Sequence, residues 1–149
     1  VRAVPQFGER RAGRTYADRP AAFGILERDG QVAVVRIEKP DGAVWVDLPG
    51  GGVDPGETPE QGVVREFGEE AGLKVAVRAS FALADQFFVN TEGEAWNNRS
   101  AFFTLDLEAD DASLKIEQDH TLIWLSPLEA IACLRHDSHA WALAAWLRL

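Results

Sequence analysis

The sequence predicts an α/β (α+β) fold in which a mixed β-sheet is flanked by helices, and three observations carry that expectation. Apolar, β-branched runs recur along the chain, two helices begin at Thr-Pro and Ser-Pro, and 46% of the 149 residues are hydrophobic. A chain of this length and composition is expected to form one domain over residues 1–149.

Residues 1–20 carry Arg2, Arg10, Arg11, Arg14 and Arg19 with little hydrophobic periodicity, so they read as an arm or edge segment. "AAFGILE" (21–27) and "QVAVVRIE" (31–38) read as strands joined by a hairpin at Asp29-Gly30. "AVWVDL" (43–48) is a third strand and leads into Gly50, Gly51 and Gly52, which read as a loop. Such a loop permits close approach to a ligand or metal, and equally suits a tight turn with no function. Thr58 then caps a helix, Pro59 fits its first position, Gln61 completes a capping box and Gly72 ends it. "LKVAVRASFALADQFFVN" (73–90) predicts one or two strands, "TEGE" a turn, and "AWNNRSAFFTLDLE" (95–108) and "HTLIWLS" (120–126) further strands. Ser126 and Pro127 start a helix in "SPLEAIACLRH", and "SHAWALAAWLRL" closes the chain as an apolar helix.

The 15 Lys+Arg residues against 24 Asp+Glu leave a net charge of −9, which excludes general attraction to a nucleic-acid backbone. An anionic small substrate would also be repelled unless cations intervene. The single cysteine, Cys133, cannot form an intramolecular disulfide and reads as a small buried apolar residue. No apolar run approaches the ~18 residues of a membrane span, and the first residues lack the apolar core of a signal peptide. A cytoplasmic, membrane-free setting is the expectation.

The negative charge is concentrated on the first helix. At about 100° per residue, Glu66, Glu69 and Glu70 share an arc of roughly 100°, while Val64, Phe67 and Ala71 share another. One face is thus expected to pack and the other to present three mutually repelling carboxylates. A divalent cation would turn that repulsion into coordination, and Mg²⁺ is commonly held by a few carboxylates with substrate phosphates and water. Arg65 lies one turn before Glu69 and can neutralise or orient it. Glu57, in the preceding acidic turn, can buttress the arginine. A solvated acidic face is the bland alternative.

The spacing of these residues resembles the signature of the Nudix hydrolases, G-x5-E-x7-R-E-U-x-E-E-x-G-U, where U is a bulky apolar residue. It runs from Gly51 through Glu57, Arg65, Glu66, Phe67, Glu69 and Glu70 to Gly72 and Leu73 with every fixed position filled. Phe67 stands where leucine is commoner, which bears on packing more than chemistry. The resemblance implies an α/β/α sandwich with a mixed β-sheet, the box forming a loop–helix–loop. It implies that Glu66, Glu69 and Glu70, with the Gly50 carbonyl, bind Mg²⁺ or Mn²⁺. The implied reaction is attack of water on a phosphorus of a nucleoside diphosphate linked to another moiety. Glu69 is then the candidate base, with Arg65 and Glu57 supporting it. Some relatives take the base from a later loop, where Glu117 and Asp119 are the nearest candidates and ordinary loop charges the alternative. Homodimers are common in the family.

For the substrate, Arg36 and Arg99 are candidates to reach phosphates, and Phe88 and Trp96 to stack a base, with surface charge and core packing as their alternatives. Phe23 and Trp45 are further aromatic candidates, and Asn97 and Asn98 either read a base edge or shape a bulge. The position where an ADP-ribose type would carry proline is held by Phe88, and the only tyrosine is Tyr16. By elimination, the expected substrate is a (d)NTP or modified nucleotide. The alternatives are an ADP-ribose, nucleotide-sugar or dinucleoside polyphosphate hydrolase, a non-catalytic nucleotide-binding module, or an interaction protein using the arginine-rich arm.

Overall fold

The computed structural model describes residues 3–149, so Arg2 lies outside the described residues. In chain order the elements are strands β1 (Gln6–Phe7), β2 (Ala17–Ile25), β3 (Glu27–Arg28), β4 (Gln31–Glu38), β5 (Val44–Asp47) and β6 (Gly50–Gly52), then helix α1 (Pro59–Ala71). There follow β7 (Leu73–Val89), β8 (Ala95–Asp110), a short 3-10 turn (Ala112–Leu114), β9 (His120–Leu125), α2 (Pro127–Cys133) and α3 (Asp137–Trp146).

The mixed sheet has the order β1-β7-β8-β2-β6, with β1·β7 and β2·β8 parallel and the other pairs antiparallel. Beside it lies a second sheet that is antiparallel throughout. In it β4 pairs with β9 along one edge and with β3 and β5 along the other. The apolar run 21–27 therefore serves both sheets: it leaves the first after Ile25 and enters the second at Glu27. The hairpin turn is made by Asp29 (φ 53°) and Gly30 (φ 78°), whose left-handed backbone suits the twist of the paired strands.

Alternation along the strands divides the core. Ala21, Phe23, Ile25, Val32 and Val34 join Ala130 of α2, Leu134 at its C-cap, and Ala142 and Leu143 of α3 in one cluster. Ala22, Ala33 and Val35, one residue out of phase, join Val63, Phe67 and Ala71 of α1 in the other. The result is an α+β sandwich with α1 on one side and α2 and α3 on the other. Cys133 departs from expectation: α2 buries only Ala130, and the cysteine faces out, exposed. No helix among the described residues is long and apolar enough to cross a membrane.

Three details position the site. The glycines expected in a loop form β6, with Gly50, Gly51 and Gly52 opposite Phe23, Ala22 and Ala21. Gly50 has φ 146°, and a Cβ there would fall 2.2 Å from the Ala22 carbonyl oxygen, so only glycine lets this strand close on β2. Residues 17–20, expected in the arm, extend β2, while Gln6–Phe7 pairs with Asp85–Gln86 at the sheet edge.

α3 brings two histidines into the interior. His139 Nδ1 accepts a hydrogen bond from the Leu48 N–H (3.2 Å), and its ring centroid lies 4.3 Å from that of Phe23. Burial pushes the His139 pKa well below its ordinary value and that of His136 down to about 4. Folding thus favours neutral rings: their contribution is full above the unfolded pKa of about 6.5 and is lost as pH falls toward the folded value. We predict that the stability difference between pH 7 and pH 5, measured by urea denaturation, shrinks by about 2 kcal/mol in His136→Asn. An unchanged difference would contradict a buried neutral His136.

Candidate active site

The site is built from the two ends of α1. At its start Thr58 Oγ1 accepts from the Gln61 N–H (3.1 Å) and Gln61 Oε1 from the Thr58 N–H (2.9 Å), so the capping box fixes where the acidic turn stops. At its end Gly72 takes the left-handed conformation (φ 67°) and turns the chain into β7.

Between them Arg65 is held by all five of its N–H groups. Nε and Nη2 form a bidentate pair with Glu57 (2.8 and 3.0 Å), Nη1 donates to Glu66 and Glu69 (both 3.0 Å), and Nη2 also donates to the Gly52 carbonyl (3.1 Å). Glu57 in turn accepts from the Asp54 N–H (3.0 Å), which ties the acidic turn to the helix. Hydrogen bonding from Arg65 holds the Glu57 carboxyl below its ordinary range, and the same contact raises the arginine.

The three glutamates that follow differ in environment. Glu66 lies over β6, where its Oε1 would be 3.1 Å from any Cβ added to Gly51. Burial raises its pKa, opposed by Arg65 and reinforced by Glu69 and Glu117. Glu69 is partly exposed, and its carbonyl accepts the N–H groups of Ile116 and Glu117 (both 3.0 Å). The loop before β9 is thereby docked on the helix end, which brings Glu117 beside the box.

Glu70 corrects the expectation of three outward carboxylates, being only 6% exposed. It accepts from the Gly50 N–H (2.8 Å) and meets His120 Nε2 at 2.9 Å. Burial pushes its pKa up to about 7. Burial works against an imidazolium at His120, but contacts with Glu70 and with Asp119 (2.8 Å from Nδ1) outweigh it and raise the pKa to about 9. The contact with His120 lowers Asp119.

Glu117, Asp119 and His120 also place possible metal-ligating atoms within 4.8 Å of one another. An imidazolium already paired with two carboxylates competes with a metal there. The all-oxygen set of Glu66, Glu69 and Glu70 over a glycine strand fits a hard divalent cation better.

The expected substrate residues are brought together only in part. Phe88 and Trp96 are directly paired across β7 and β8. The Arg19 guanidinium lies 5.5 and 5.4 Å from their ring centroids and donates to Asn98 Oδ1 (2.8 Å). Arg19 also flanks β6, 3.4 Å from where a Gly52 Cβ would stand, and feels the charge of Glu66. The buried Trp96 indole N–H has no hydrogen-bond partner among the described residues. Asn97 exchanges hydrogen bonds with Gln6.

Arg36 and Arg99 are not brought to this cleft as free cations. Arg36 alternates with Val35, whose face packs on α1, so it lies on the opposite face and pairs with Glu38. Arg99 bridges Asp18 (3.1 Å) and Asp85 (3.0 Å). Phe23 is a core residue.

Arg19 and His120 are the residues that sequence reasoning missed. A signal existed for each: Arg19 keeps step with Ala21 and Phe23, and His120 with Leu122 and Trp124.

Fold and site together define a class: an α+β sandwich that gathers glutamates and one arginine at a loop–helix–loop beside a glycine strand. The NUDIX domain model matches residues 16–147, and the chain belongs to that family. Over 62 residues it is 40% identical to a putative 8-oxo-dGTP diphosphatase of Bacillus subtilis, covering 42% of this chain and 40% of that protein. Over 103 residues it is 29% identical to an RNA pyrophosphohydrolase of Gluconobacter oxydans, covering 64% and 60%. The chain thus spans about half the length of these curated relatives. Among solved structures, a NUDIX hydrolase from Nitrosomonas europaea shares the fold at a TM-score of 0.73, with 18% identity over 88% of this chain and 89% of that one.

Removing His120 leaves a buried carboxylate without its cation. His120→Ala is predicted to lose about 2 kcal/mol of stability, measured by urea denaturation without metal. Unchanged stability would mean that the pair with Glu70 contributes nothing.

Proposed function

We propose that the protein is a Mg²⁺-dependent pyrophosphohydrolase that cleaves a nucleoside diphosphate linked to another moiety, with a (d)NTP or modified nucleotide as substrate. The observation that carries this reading is the continuity of the site: from Glu66 over β6, past Arg19, to the paired rings of Phe88 and Trp96. The names of the Bacillus subtilis and Gluconobacter oxydans relatives support phosphoanhydride chemistry on nucleotides.

Glu66, Glu69 and Glu70 would hold Mg²⁺, or Mn²⁺, with the Gly50 carbonyl as a further oxygen donor. Bound there, the ion supplies Lewis-acid polarisation of a phosphoryl oxygen and a lowered pKa for water. The protein's own groups do the rest. Arg65, fixed by Glu57, prevents Glu66 and Glu69 from swinging away. Glu69, the least buried of the three glutamates, accepts the proton of the attacking water as its oxygen bonds to phosphorus and the bridging P–O bond breaks. Arg19 offsets phosphate charge in a chain that is otherwise acidic. The Phe88 and Trp96 rings give the base a stacking surface, and the unpartnered indole N–H can donate to an acceptor on the nucleotide.

A second reading gives the proton to Glu117, which the docked loop carries to the same helix end. Glu69→Gln separates the two. With Mg²⁺ and a panel of nucleoside triphosphates, nucleotide sugars, ADP-ribose and dinucleoside polyphosphates, the variant is predicted to lose about 10²-fold or more in kcat while its melting temperature holds. Nearly full activity in Glu69→Gln would move the base to Glu117. Absence of turnover by the unsubstituted chain on the whole panel would overturn the hydrolase reading.

A further inference from the structure

Past Phe88 the cleft opens into a cavity of about 530 Å³, within the size range of small-ligand sites. Its walls include Trp45, Phe88 and Arg135 from the sandwich and Arg10, Arg11 and Tyr16 from the segment before β2. That segment is held in place: the Arg11 N–H donates to the Tyr16 hydroxyl (2.9 Å), and the Tyr16 ring meets Phe87 edge-on at 5.2 Å. The Arg10 guanidinium sits 5.5 Å from the Phe87 centroid.

The arginines here are of two kinds. Arg135 is neutralised by a bidentate pair with Asp47 (3.0 and 2.6 Å) and sits over Trp45, its guanidinium carbon 3.8 Å from the ring centroid. It is a wall. Arg10 and Arg11, like Arg14, Arg19 and Arg148, form no ion pair among the described residues, whereas Arg28, Arg36, Arg65, Arg78, Arg99 and Arg135 each hold a carboxylate; of the arginines without one, only Arg10 and Arg11 line this cavity. Glu9 also lines the cavity, so its rim keeps an excess of positive charge in a chain of net charge −9. Two arginines without an ion pair lining an aromatic cavity favour an anion there against an acidic background.

We propose that this cavity binds a second phosphate, carried on the ribose of the substrate, so that the substrate class is a nucleoside 5′-polyphosphate bearing a further phosphate at its 3′ position. The inference rests on the hydrolase reading for which end of the ligand lies where. The glutamates and Arg19 take the 5′-diphosphate, and Phe88 separates them from the cavity, which therefore receives the distal part of the nucleoside. In a plain nucleoside triphosphate that part is an uncharged base and hydroxyl groups, which leave Arg10 and Arg11 without an anion. A 3′-phosphate gives both a partner. The same chemistry is offered by a terminal phosphate monoester and by the phosphodiester of a following nucleotide.

The test is calorimetric and independent of catalysis. Adenosine 5′-monophosphate, adenosine 3′,5′-bisphosphate and the 5′-phosphorylated dinucleotide pApA are titrated into the chain without metal, and into Arg10→Ala/Arg11→Ala. The bisphosphate is expected to bind at least about tenfold tighter than the monophosphate, and the double substitution to bring the two affinities together. Equal affinities in the unsubstituted chain, or a preference that survives the double substitution, would overturn the proposal. Binding of pApA tighter than the bisphosphate supports it with the phosphodiester as source, and weaker binding supports it with the monoester. With Mg²⁺, turnover of ATP and of its 3′-phosphorylated form separates the two readings. Hydrolysis without a 3′-phosphate preference in KM sinks this site and leaves the hydrolase standing. No hydrolysis of either, with the binding preference intact, sinks the hydrolase and leaves the site.

Discussion

The fivefold hydrogen bonding of the Arg65 guanidinium is the interaction on which the site depends. It joins the acidic turn at Glu57, the glycine strand at Gly52 and the helix at Glu66 and Glu69. A planar fork with five donors can satisfy all of these at once, and a lysine with three donors on one nitrogen cannot. Without it the carboxylates would repel one another across a partly buried surface. The helix carries charge on this face because Phe67 and its neighbours anchor the other face in the core, and the capping box at Thr58 sets the rotation of the two.

The second cation, His120, does for Glu70 what Arg65 does for the others, and it comes from β9 of the second sheet rather than from the helix. The site therefore depends on the packing of the whole sandwich: β9 must sit against α1 for His120 to reach Glu70, and β6 must close on β2 for Gly50 to donate to the same carboxylate. The glycine strand makes that closure possible, since a side chain at Gly50 would collide with Ala22. One helix face thus combines a buried, paired carboxylate at Glu70 with two partly exposed ones at Glu66 and Glu69.

Much of this was legible in the sequence. The strands, the two capped helices and the Asp29-Gly30 turn follow from local patterning, and the spacing from Gly51 to Leu73 pointed to the family and to the candidate site helix. What the sequence left open has identifiable causes. The passage of β2 from one sheet to the other after Ile25 depends on long-range pairing, which the uninterrupted run 21–27 conceals. β6 was read as a loop because glycines score poorly as strand formers, whereas here backbone proximity requires them. Arg19 was grouped with the arm because residues 1–20 are rich in arginine and show little hydrophobic periodicity, though β2 begins at Ala17. Arg36 looked free because its partner Glu38 lies two residues on, on the same face of the strand.

The central claim is that the carboxylates arranged by Arg65 and His120 receive a divalent cation. It is tested most directly by diffraction from crystals of the chain soaked in Mn²⁺, with the metal located by its anomalous signal. The account predicts a peak bounded by Glu66, Glu69 and Glu70 near the Gly50 carbonyl. A peak confined to Glu117, Asp119 and His120, with none at the helix, would contradict it.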